Sequence, residues 1–95
     1  MTPNNIVNNN LINAKKAEIA VIENSIREKQ ESIEACNTYL RINIGCIDSA
    51  DIRETEDDIR TYEKEIKDLI VRRNRLNQEI ANLQAAGIGG TGIVR

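Results

Sequence analysis

The sequence contains no histidine, no tryptophan and no phenylalanine, and its aromatic content is two tyrosines. Without histidine the chain lacks the side chain that most often exchanges protons near neutral pH. Its two thiols, Cys36 and Cys46, then have no imidazole to activate them. We therefore expect a protein that is not an enzyme. Zinc loses its usual nitrogen ligand by the same absence, and the acidic run DIRETEDD (51–58) lacks the spaced oxygen ligands and central glycine of a calcium loop. No metal and no cofactor are expected. The scarcity of aromatics also removes the platforms on which bases stack, which weighs against nucleic acid as a partner.

Other features are sparse as well. No stretch approaches 18 consecutive apolar residues, so no membrane partner is expected. The opening MTPNNIVNNN has neither a basic region nor an apolar core of the kind a secretory signal needs, and two cysteines are too few for a disulfide framework. Both observations fit a cytoplasmic protein with free thiols. A net charge of -2, from 13 basic and 15 acidic residues, is too small to define a partner. Glycine occurs once before position 87, at Gly45, and proline once in the whole chain, at Pro3. Helices can therefore run long.

What is present is heptad spacing. Ile12, Ile19, Ile26, Ile33 and Leu40 recur every seven residues, while the second seam position is filled by Ile22 and Cys36 and interrupted by Lys15 and Lys29. This predicts a first helix that starts between residues 3 and 10, with Thr2 as cap and Pro3 at the first helical position. The second helix is more regular: Ile52, Ile59, Ile66, Arg73 and Ile80 alternate with Thr55, Tyr62, Leu69, Leu76 and Leu83. Asp48 or Ser49 caps its start, and Gly87 is the expected stop, a left-handed C-cap.

The fold class that follows is all-α: two long antiparallel helices forming a coiled-coil helical hairpin over residues 11–86. Its turn falls at INIGCID (42–48), preceded by an Asn-rich segment or helix start (1–10) and followed by a Gly-rich tail (87–95). Folding about Gly45 sets Ile12 near Ile80, Ile19 near Arg73, Ile26 near Ile66, Ile33 near Ile59 and Leu40 near Ile52. A two-helix hairpin buries one side of each helix, so assembly into a four-helix or larger homo-oligomeric bundle is expected. Val21, Ile70, Val71 and the stripe Ala14, Ala17, Ala20 offer a second contact face.

Three features could carry function. Residues 48–66 hold eight acidic and three basic residues, a surface suited to a basic partner or simply a solvated helix start. Arg72, Arg73 and Arg75 form the densest basic spot, and Arg73, on the seam, calls for Glu18 or Glu23 as counter-charge. The end, GIGGTGIVR, matches G-x-G-x-x-G in letters but follows a helix and opens none, which excludes a dinucleotide fold. The expectation there is contact with a neighbouring subunit. The alternative is a ligand site in which Gly89, Gly90 and Thr91 present backbone amides and Arg95 a charge.

The leading expectation is a self-associating hairpin that binds another protein as adaptor, inhibitor or assembly component. A second reading is an oligomeric, phage-type anti-defence protein that sequesters a small phosphorylated ligand, such as a signalling nucleotide. A third and weaker one is an RNA-binding four-helix dimer. The turn lacks the Trp-x-Gly of WXG-type secreted hairpins, and no family resemblance is claimed.

Overall fold

A computed structural model describes the backbone of residues 3–92 and the side chains of residues 7–86. Among the described residues the protein is all-helical. Helix α1 spans Pro3–Asn43 and helix α2 spans Ser49–Gly92, and the two pack against each other as a hairpin. Thr2, proposed as the cap of α1, lies outside the described residues.

Backbone chemistry at the turn explains why α1 ends and α2 begins where they do. Gly45 has φ of 85°, a left-handed conformation that costs glycine little and other residues more. The turn is closed by a hydrogen bond in which the Cys46 amide donates to the Asn43 carbonyl at 2.8 Å. Asn43 Nδ2 donates to the Tyr39 carbonyl at 2.9 Å, satisfying one of the last carbonyls of α1. On the other side, Asp48 Oδ1 accepts the Asp51 amide at 2.9 Å, and the Asp48 carbonyl accepts the Ile52 amide at 3.1 Å. Asp48, not Ser49, is thus the N-cap.

At its far end α2 differs from expectation. The helix runs through Gly87 and continues to Gly92. Glycine permits a left-handed cap without requiring one, and it also occupies right-handed helical backbone at a cost of about 1 kcal/mol relative to alanine. Ala85 and Ala86, the strongest helix formers, lead directly into this segment.

The chain divides into two compact units. The first combines Met1–Glu23 with Val71–Arg95. Its core consists of Ile12, Ile22, Leu76 and Ile80, with Ile22 only 3% exposed. Ile19, Arg73 and Leu83 are half-buried beside them. Lys15 Nζ lies 2.9 Å from Glu79 Oε1. Lys15 is one turn beyond Ile12 and Glu79 adjoins Ile80, so this pair agrees with a register that sets Ile12 against Ile80.

The second unit is Asn24–Ile70, which contains the turn. Ile26 is buried, while Ile33, Leu40, Ile52, Ile59, Tyr62, Ile66 and Leu69 are half-buried. Lys29 Nζ lies 3.1 Å from Glu65 Oε1, again one turn beyond Ile26 and adjacent to Ile66. Every a and d position of α2 from Ile52 to Leu83 is buried or half-buried, Arg73 among them.

Candidate interaction surface

Two seam positions of α1 that are not apolar are ion-paired across the helices. Lys15 and Lys29 break the second seam position of α1, and their side chains are only 27% and 28% exposed. Their methylene stems lie along the seam while the ammonium groups reach its edge. There they meet Glu79 and Glu65. Arg72 sits on the same edge of α2, seven residues from each of these glutamates, and it too pairs across, to Glu18. One edge of α2 therefore supplies the α2 side of every cross-helix ion pair among the described residues. The signal was present in the sequence as a spacing of seven between Glu65, Arg72 and Glu79, but a search for apolar periodicity passes over it.

This arrangement corrects the partner expected for Arg73. Arg72 Nη2 donates to Glu18 Oε2 at 2.7 Å and its Nε donates to the same oxygen at 3.2 Å. Glu18 lies at the seam's edge, where an edge arginine reaches it more directly than a seam arginine can. Arg73 is half-buried and forms no ion pair with Glu18 or Glu23. Arg75 is exposed. The basic spot is thus divided, with one arginine bound, one held in the seam and one in solvent.

A groove of about 390 Å³ in the first unit is lined by Leu11, Lys15, Glu79, Asn82 and Leu83. Its polar rim is the Lys15–Glu79 pair, whose charges already satisfy each other. A hollow of about 600 Å³ on the second unit is lined by Arg60, Glu63, Lys64, Ile66 and Lys67, four charged residues around one isoleucine. Three of the four are basic, but Arg60 is paired with Asp57 and Lys64 with Asp68, so most of that positive charge is already answered.

The Gly-rich segment has a different backbone from the loop that an anion cradle requires. Gly89, Gly90 and Thr91 lie within α2. Amides in a helix are directed at carbonyls four residues earlier and not at a ligand. The side chain of Thr91 and all of Arg95 lie outside the described residues, as do Ile93 and Val94. Cys36 is half-buried on the seam and Cys46 is exposed in the turn, both as free thiols. Among the described residues no group of three or more His, Cys, Asp or Glu is arranged to hold a metal ion, and no helix is long and apolar enough to cross a membrane.

The remaining feature is apolar surface outside the seam. In the first unit Val7, Leu11, Val21 and Val71 are exposed, Val21 by 68%. Ala14, Ala17 and Ala20 are exposed beside them on α1. In the second unit Tyr39, Ile42 and Ile44 are exposed close to the turn. Comparison with protein-family models, with curated proteins and with solved structures finds no match for the chain.

Proposed function

We propose that this chain is a non-enzymatic helical hairpin that associates with itself and works by binding another protein, as an adaptor, inhibitor or assembly component. The observation that carries this reading is the imbalance between buried and exposed apolar side chains. Only five hydrophobic residues are buried among those described, whereas seven large ones are exposed. A chain of this size gains little stability from so small a core, and covering exposed side chains such as Val7, Leu11, Val21 and Val71 with another helical surface is the direct remedy. Two hairpins side by side make a four-helix bundle, and a third helical surface from a partner protein is accommodated in the same way. Two free cysteines suit a reducing, cytoplasmic setting.

Native mass spectrometry combined with sedimentation velocity tests the reading. The expected result is a species whose mass is a whole multiple of 10.7 kDa, with no retained small molecule. A chain that stays monomeric at a concentration of about 100 µM, well above the micromolar range of ordinary specific contacts, defeats the self-association part.

A further inference from the structure

The outer face of α1 in the first unit carries no charge at all. Val7, Asn10, Asn13, Ala14, Ala17, Ala20 and Val21 are all exposed and occupy an arc of about 140° at 100° per residue. A solvated helix face ordinarily carries charged residues. In this chain 29% of all residues are charged, yet here charge is confined to the two edges of the arc. Glu18 stands on one edge and is engaged by Arg72. Lys16 and Glu23 stand on the other, both exposed and neither in an ion pair among the described residues.

We propose that this face is where a second copy of the chain docks, with the two α1 helices antiparallel and Lys16 of each copy set against Glu23 of the other. The inference rests on the self-association proposed above and specifies its surface and direction. Lys16 and Glu23 are seven residues apart, so they share one edge and bracket Ala17 and Ala20. A two-fold axis near Ala20 brings the opposite signs together twice, which is the self-complementarity that an isologous interface requires. Parallel pairing sets this edge against the other one, where Glu18 is already engaged by Arg72, so Lys16 and Glu23 do not meet each other. Alanines at the crossing allow the helix axes to approach closely, at the short end of the usual 8–10 Å.

Area leaves room for such a contact. The chain exposes 7038 Å², whereas a folded monomer of its mass exposes about 5,500 Å² by the usual scaling with mass. The excess, about 1,500 Å², is nearly twice the roughly 800 Å² that each partner contributes to a standard interface. One copy-to-copy contact fits within it and leaves surface for a different protein.

Sedimentation velocity on the wild type and four variants tests the proposal, with circular dichroism confirming that each variant remains helical. Ala17→Arg places a charge at the centre of an exposed face that the monomer does not need, and it should abolish dimerisation. Lys16→Glu and Glu23→Lys each create two like-charge contacts and should weaken the dimer about tenfold, by the usual range for exposed pairs counted twice. The double variant exchanges the signs and should restore dissociation to within about twofold of wild type. If the wild type associates but Ala17→Arg does not weaken it, the surface is wrong while self-association stands. If the double variant is as weak as the singles, the antiparallel direction is wrong. A monomeric wild type removes this inference and the reading beneath it together.

Discussion

Arg72 and Glu18 are joined across the two helices through both Nε and Nη2 of the arginine, at 3.2 and 2.7 Å from a single carboxylate oxygen. The adjacent Arg73 is left half-buried on the seam without a carboxylate partner among the described residues. Its side chain is half-buried with no ion pair in return, while its neighbours on the seam are aliphatic. Arg73→Leu should therefore raise stability by about 1 kcal/mol, measured by urea denaturation at fixed protein concentration. A loss of stability instead means that Arg73 is fully solvated in solution or held by a partner.

The N-cap of α2 separates two neighbouring side chains that look equivalent in sequence. Asp48→Ala removes the acceptor of the Asp51 amide and should cost about 1 kcal/mol. Ser49→Ala, one residue on, should change stability by less than about 0.5 kcal/mol. Thermal denaturation of the two variants side by side gives the comparison, and equal losses would show that the cap is shared.

Gly45 adopts φ of 85° with open space where a Cβ would stand. Substitution there meets no steric neighbour, so any cost comes from backbone conformation alone. Gly45→Ala should destabilise the hairpin by about 1 kcal/mol, and Gly45→Asn by less, because asparagine tolerates left-handed backbone. Chemical denaturation distinguishes the two, and an alanine variant as stable as wild type would mean that the turn reorganises.

Burial differs along the seam, and truncation should follow it. Ile22, 3% exposed, should cost about 2–4 kcal/mol when replaced by alanine, since the lost contacts leave a cavity between packed helices. Ile33 is half-buried in the second unit, and Ile33→Ala should cost about half as much. The ratio is read from denaturation midpoints at constant slope.

The seam was legible in the sequence because aliphatic side chains at intervals of seven can share one helix face only at that spacing. Ile12, Ile26, Leu76 and Ile80 show it directly. The turn was legible because Gly45 interrupts an otherwise uniform pattern. Two things were not. Gly87 reads as a stop, yet glycine is permissive in both directions, and only the chain beyond it decides. The cross-helix pairs were hidden because Lys15 and Lys29 count as interruptions in an apolar pattern, whereas a long stem with a charged end belongs to the seam and its edge at once. The uncharged face of α1 was visible only as an alanine stripe; its significance depends on knowing that Lys16 and Glu23 are left unpaired.

The turn at Gly45 also sets an order of events in time. The pair Lys29–Glu65 closes a loop of 36 residues, and Lys15–Glu79 one of 64. Loop closure costs more entropy as the enclosed chain lengthens, so pairs near the turn form sooner, and each makes the next closure shorter. Closure entropy alone thus favours pairing from Gly45 outward, while the deeper burial in the first unit, which holds four of the five buried residues, favours its staying closed once formed. The face between Val7 and Glu23 belongs to that last-closing unit, so a second copy bound there would act as a latch. Assembly would then govern how long the hairpin stays shut as well as how stable it is.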